Sequence, residues 1–260
     1  MYMEPIDEIR KSNVRNLLEN NERIDRRGML DYRPIEITKN YINTGEGSAL
    51  VKLGNTKALS VIKFDIVEPF SDKPDEGVIL TNSEMLSLSS ERFESGPPNE
   101  KSIELARVVD RGIRSAEIID TKAMNLENGK VLGLFIDLYL LDYDGNYLDA
   151  SALATMAALR ETKVPKYEDG KLIRENMKDK LKLKGDVFMN TFVKIDDKIL
   201  LDPIIDEEVS MDCRLSVGIY GNEICSLQKN GRSALKRKEF EHMIDVSLEK
   251  YKELKRIVEI

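Results

Sequence analysis

The sequence is poor in the residues that most often hold metals or crosslink chains. Its 260 residues include one histidine, His242, and two cysteines, Cys213 and Cys225. A His/Cys metal site is not expected from so few donors. The cysteines sit in apolar surroundings, Met211-Asp212-Cys213-Arg214-Leu215 and Glu223-Ile224-Cys225-Ser226-Leu227. Without a CxxC pair they read as buried free thiols in a reducing compartment, and no structural disulfide is expected. No apolar run approaches the roughly 18 residues that a membrane span needs. Met1 to Gly28 lacks the apolar core of a signal peptide, so a cytoplasmic location is expected. An excess of positive charge is missing too. Forty Lys and Arg stand against 47 Asp and Glu, a formal charge of −7. That balance argues against broad, non-specific nucleic-acid binding and leaves room for a local basic site. GxGxxG, Walker and HExxH patterns are absent. Neither cysteine has a base nearby in sequence, and His242 lies in a predicted helix among charges. No cofactor is expected.

What is present reads as one mixed α+β arrangement. The apolar fraction is 41% and the charged fraction 33%, as in globular chains large enough to bury a real core. Apolar residues at Ile6, Ile9, Val14, Leu17 and Leu18 keep a helical spacing. Strand-like stretches follow at Arg33–Ile42, Ser48–Leu53, Ala58–Val67 and Val78–Leu80, with Gly45, Gly47 and Gly54 between them. Asn99 is the predicted N-cap of a helix from Glu100 to Ile119. Val131–Leu141 is a dense apolar strand, and Ala150–Leu159 a helix of small residues able to sit close on a sheet. Polar, lysine-rich Glu168–Lys184 is a loop or short hairpin and marks the internal boundary. We divide the chain there into halves, 1–165 and 166–260, within one continuous structure. Strands at Val187–Ile195, Ile199–Leu201, Leu215–Tyr220 and Glu223–Gln228 lead to a closing helix, Arg237–Ile257.

The Glu100–Ile119 helix carries the most specific charge pattern. At 100° per residue, Leu105, Val108, Val109, Gly112, Ala116 and Ile119 share the packed face. Arg107, Arg111 and Arg114 gather opposite, within about 60° of one another. Like charges at these spacings repel, and an anion would relieve that strain. Arginine suits phosphate because its planar fork donates two hydrogen bonds at once. The plainer reading is a solvated face partnered by Glu104 and Asp110, and charge pattern alone favours it. Asp202 to Asp212 concentrates carboxylates, of which Asp206 and Asp212 could hold Mg²⁺ or serve acid–base work. An acidic turn beside strands is again the plainer reading.

Taken together, several stretches resemble the RNase PH family, and specifically its non-catalytic branch in archaeal exosomes. Arg23-Ile24-Asp25-Arg26-Arg27-Gly28 with Arg33-Pro34 is similar to the family's opening signature, with Arg26 where glycine is usual. Gly54-Asn55-Thr56-Lys57 resembles its Gly-Asn-Thr turn. Pro74-Asp75-Glu76-Gly77, Phe93–Asn99 and Ile103–Arg114 resemble the non-catalytic branch, and Asp202–Asp212 and Gln228–Gly231 extend the likeness to nearly the whole chain.

The resemblance implies paired βα layers and a six-membered ring in which this type of subunit alternates with a catalytic RNase PH-like partner. That ring would degrade single-stranded RNA from the 3′ end by phosphorolysis, with RNA-binding cap proteins on it. It also implies that Arg107 and Arg111, and less directly Arg114, line the RNA path. Catalytic relatives cradle phosphate in an Asp-Gly-Gly-(Ser/Thr)-Arg loop that opens a helix. Here the stretch is Asp144-Gly145-Asn146-Tyr147-Leu148-Asp149, with Tyr147 for the hydroxyl, Leu148 for the arginine, and Asp149 adding a repelling charge. No phosphate site is expected there. Asp206 and Asp212 align with the catalytic aspartates and read as a possible remnant without a reaction. The expected function is a non-catalytic, RNA-gripping subunit that structures its partner's active site. Two alternatives remain: an active phosphate-dependent exoribonuclease using Asp206 and Asp212, and a purely structural ring component.

Overall fold

The five strand-like stretches of the first half pair into one sheet. In the computed structural model, which describes residues 5–94, 96–175 and 177–259, β1 (Ile35–Lys39), β2 (Gly47–Leu53), β3 (Thr56–Val67), β4 (Val78–Met85) and β5 (Val131–Asp142) lie in the order β1-β2-β3-β5-β4. Neighbours are antiparallel except β4 and β5, which run parallel. A parallel pair needs a crossover, and α2 (Glu100–Ser115) lies within it. Ser95, inside the Phe93–Asn99 motif, lies outside the described residues.

A short hairpin, β6 (Lys166–Glu168) and β7 (Lys171–Ile173), leads to a second, all-antiparallel sheet. Its strands β8 (Val187–Ile195), β9 (Lys198–Leu201), β10 (Cys213–Tyr220) and β11 (Glu223–Gly231) are ordered β11-β10-β8-β9. Between the sheets runs α3 (Tyr147–Glu161), packed against β2, β3 and β8. Every residue of α3 from Tyr147 to Leu159 is buried. Six alanines and serines among them, including Ala150, Ser151 and Ala154, let two sheets approach one helix closely. The closing helix α5 (Arg237–Glu259) covers β8 and β10 with Met243, Val246, Tyr251 and Leu254.

Several boundaries differ from those expected. β4 runs on to Met85, its alternating burial fitting a strand at the sheet's edge. α2 stops at Ser115, because Glu117 takes a left-handed backbone, φ 47°. Ala116 and Ile119 therefore leave the helix, and Ile113 completes its buried face instead. α3 begins three residues early, at Tyr147. The acidic turn at Asp202–Asp212 is in fact a short helix, α4 (Ile205–Ser210), which packs on α1 (Pro5–Glu19). Cys213 is buried as expected, whereas Cys225 is partly exposed on the edge strand β11; both thiols are free. Among the described residues no helix is long and apolar enough to cross a membrane.

Candidate nucleic-acid interface

Asn99 caps α2 as its sequence predicts, its side-chain oxygen accepting from the Ser102 N–H at 2.9 Å. The helix buries Leu105, Val108, Val109, Gly112 and Ile113, which turns Arg107, Arg111 and Arg114 outward, all three exposed. Their guanidiniums then part. Arg114 is tied to the neighbouring sheet edge, donating to Asp110 at 2.7 Å and to the Ile79 carbonyl. Asp110 also accepts from the Thr81 hydroxyl at 3.2 Å. Arg111 leans the other way, its Nη1 reaching the Gln228 side-chain oxygen at 3.5 Å, the outer limit of a hydrogen bond. Arg107 stands between them with no hydrogen bond or ion pair among the described residues. The plainer expectation, pairing with local carboxylates, holds for Arg114 alone. Glu104 is turned to Arg214 instead, at 2.7 Å. Two cations on adjacent turns are left facing solvent, a fitting arrangement for phosphates.

The two aspartates do not meet in a cavity. Asp206, on α4, faces Arg10 of α1 at 3.3 Å. Asp212, at the start of β10, accepts from Arg15 at 3.2 Å and from the Asp196 N–H at 2.7 Å. Each therefore fastens α1 to the second sheet's surroundings. Among the described residues no three His, Cys, Asp or Glu side chains cluster as metal ligands would.

At the start of α3 the structure is informative. Asn146 is the N-cap, in a left-handed conformation (φ 51°), its side chain accepting from the Asp149 N–H. Gly145 before it has φ 84°, and a Cβ there would lie 2.4 Å from the Pro203 carbonyl oxygen. The N–H of Asn146 donates to the Glu208 carboxylate at 2.8 Å, and the Tyr143 hydroxyl donates to the same group. A negative charge thus already occupies the positive end of this helix. Asp149 is not presented to the loop as the repelling charge that the sequence suggested. It is wholly buried, accepting from the Thr191 N–H at 2.9 Å, the Thr191 hydroxyl at 2.6 Å and the Tyr32 hydroxyl at 3.0 Å. Burial raises its pKa to about 7, against the opposing pull of the Thr191 and Asn146 hydrogen bonds. Leu148 is buried in the core beside it.

The opening arginine motif turns out to be a clasp. Arg23 and Glu207 form a bidentate pair, 2.8 and 2.6 Å, with side chains 0% and 1% exposed. Arg33 grips Asp202 the same way, at 2.9 and 2.8 Å, and Arg27 adds a contact at 2.8 Å. Burial alone would raise the Asp202 carboxyl, but Arg33 and then Arg27 outweigh it and hold the group below its usual range. These arginines join the N-terminal segment to the second sheet, and they are not free for RNA.

Comparison with known proteins follows the same outline. Residues 31–165 match the model of the 3′ exoribonuclease family, domain 1, and residues 187–250 match domain 2 of that family. The chain belongs to the RNase PH family. Among its RNase PH relatives, the exosome complex component Rrp42 of Methanothermobacter thermautotrophicus is 44% identical, over 97% of this chain and 95% of that protein. The Rrp42 of Thermococcus gammatolerans is 43% identical over 96% and 94%. The RNase PH-type fold superposes with TM-score 0.91 on a chain of the Archaeoglobus fulgidus exosome with RNA bound to the active site, at 41% identity and covering 97% and 99% of the two chains. An archaeal exosome core chain gives TM-score 0.87 at 39% identity, covering 98% of each.

The sequence pointed to the arginine stripe and missed a cavity beside it. About 320 Å³ in volume, it is lined among others by Lys101, Glu104, Tyr147, Glu208 and Arg214. These come from α2, the start of α3, α4 and β10, and no local spacing in the sequence announces their meeting.

Proposed function

We propose that this chain is the non-catalytic RNase PH-like subunit of an exosome. It grips single-stranded RNA for 3′-to-5′ phosphorolysis and helps to shape the active site of a catalytic RNase PH-like partner. The two sit alternately in a hexameric ring in the cytoplasm, with RNA-binding cap proteins above. The observation that carries the non-catalytic reading is the Glu208 carboxylate on the Asn146 N–H, 2.8 Å away at the start of α3. A phosphate would meet a resident negative charge there, and the residue at the place of the catalytic relatives' arginine is the buried Leu148. Asp206 and Asp212, turned to Arg10 and Arg15, are remnants without a phosphate to act beside. Both points speak against the independent-enzyme alternative. The relatives' names and the RNA in a related exosome support the assembly and its ligand.

Arg107 and Arg111 are the principal RNA contacts, with Arg114 contributing less because its guanidinium is already engaged. The test is RNA affinity of the assembled complex as a function of salt. For single strands the slope of log K against log salt changes by about 0.7 per phosphate contact. Arg107→Ala with Arg111→Ala is expected to weaken binding and flatten the slope by about 1.4, with assembly intact. An unchanged slope and affinity would favour the purely structural alternative.

A further inference from the structure

Residues 161–184, which lead from one half of the chain to the other, carry eight Lys and Arg against five Asp and Glu, in a chain whose formal charge is −7. Beyond the β6–β7 hairpin the segment runs extended, bridged from Lys180 to Lys163 and from Leu183 to Ile119. Backbone bonds fix it there: the Leu181 N–H donates to the Thr162 carbonyl at 2.8 Å, and the Lys184 N–H to the Ile118 carbonyl at 2.9 Å. Alternate side chains of an extended segment point to opposite sides. Leu181 and Leu183 are half-buried against the core, so Lys180, Lys182 and Lys184 project outward, all exposed. Successive lysines of this row are about 6.6–6.8 Å apart along the backbone.

The row is short of counter-ions. Lys180 meets Glu161 at 3.1 Å. The ammonium groups of Lys163, Lys178, Lys182 and Lys184 have no hydrogen bond or ion pair among the described residues. Lys163 lies directly opposite Lys180, and like charges so placed are destabilising. At its far end the row reaches α2, where Lys184 lines a groove together with Arg114 and Lys122. Of the groove's carboxylates, Glu76 is taken by Lys73 at 2.9 Å. Glu117 and Asp120 form no ion pair with Lys184 among the described residues.

We propose that Lys182 and Lys184, flanked by Lys163 and Lys178, are a track for the backbone of single-stranded RNA, continuing its path past Arg114. The step of the row is close to that between phosphates in an extended single strand, so each ammonium meets a successive phosphate as a point charge. An acidic protein segment presents its carboxylates at irregular intervals and matches an evenly spaced row less well. For its ligand the proposal rests on the RNA-gripping reading, but its residues lie on a different segment from the arginine stripe.

The test is RNA affinity of the assembled complex against salt for two oligouridylates, one of about 6 nucleotides, within a single site, and one of about 30, well beyond it. Lys182→Gln with Lys184→Gln is expected to weaken the long strand about tenfold and flatten its slope by about 1.4, leaving the short strand unchanged. Glutamine keeps the backbone bonds of the segment, and a thermal melt verifies folding. A control pair on α5, Lys238→Gln with Lys252→Gln, removes the same charge from exposed positions and should alter neither strand. Arg107→Ala with Arg111→Ala should weaken both lengths; if it weakens neither, the arginine reading fails while the lysine pair is still judged on its own slope. The proposal is overturned if the lysine pair leaves the long strand's slope unchanged, which would give the row to an acidic protein segment or to solvent. It is equally overturned if both lengths weaken alike, or if the α5 control reproduces the loss.

Discussion

Replacing Glu207 by alanine tests how the N-terminal segment is held to the rest of the molecule. Arg23 and Glu207 are both essentially inaccessible, with side chains 0% and 1% exposed. The guanidinium also donates to the carbonyls of Leu201 at 2.9 Å and Asp202 at 3.1 Å. Those carbonyls would remain after the substitution, but the charge would lose the buried counter-ion it pairs with. Glu207 further accepts from the Ile204 N–H at 3.0 Å, at the start of α4, so that donor would be orphaned as well. Removing one partner of a buried pair costs about 3–5 kcal/mol. For a chain of this size each kcal/mol lowers the melting temperature by roughly 2–4 °C. Glu207→Ala is therefore expected to melt about 6–20 °C below the parent. Glu207→Gln, which keeps an acceptor, should fall between the two. Reversible denaturant titration of the parent, the alanine variant and the double variant Arg23→Met, Glu207→Leu supplies the measurement. The double variant should recover much of the loss, because a buried pair exchanged for apolar volume is often neutral. A Glu207→Ala variant within about 1 kcal/mol of the parent would refute the clasp, since even a surface pair can contribute that much.

Three further outcomes are expected. Gly145→Ala forces a Cβ to within 2.4 Å of the Pro203 carbonyl at φ 84°, and should destabilise by about 2 kcal/mol or more in the same titration; a neutral result would mean the α3 loop is not constrained. Asp149 has its pKa raised by burial to about 7 from an ordinary 3.8, so between those values the folded state holds a proton that the unfolded state releases. Its contribution to stability is greatest below the lower value, declines as pH rises through that window and levels off above about 7. Subtracting the Asp149→Asn stability profile from the parent's should isolate that decline, and a flat difference would contradict the assignment. Leu153→Ala, in the wholly buried centre of α3, should cost about 2–5 kcal/mol, checked by its denaturation midpoint.

The strands and helices with a clear period were legible in the sequence. Val131–Leu141 read as a dense apolar strand, and β5 lies between β3 and β4. The apolar spacing of α2 gave its buried face, and the outward set of three arginines followed from the same geometry. What the sequence withheld depends on distant partners. α4 reads as an acidic turn because its carboxylates are fastened by Arg10 and Arg23, the latter 184 residues away. Arg114 shares the outward face of Arg107 by helix geometry, and only the fold shows the Ile79 carbonyl of β4 that holds it. Asp149 read as an added repelling charge because nothing local announces the Thr191 donors that receive it in the core. The phosphate-cradle substitutions were readable at Tyr147 and Leu148. That the Glu208 carboxylate takes the Asn146 N–H was not.

Nucleoside diphosphate release from a 3′-tailed RNA in the presence of phosphate tests the central claim most directly. The chain is assayed alone, its catalytic RNase PH-like partner alone, and then the two together. The account predicts silence from this chain, and degradation by the mixture that exceeds the partner's own and falls when Arg107 and Arg111 become alanine. Phosphate-dependent release by this chain alone, abolished by Asp212→Asn, would contradict it.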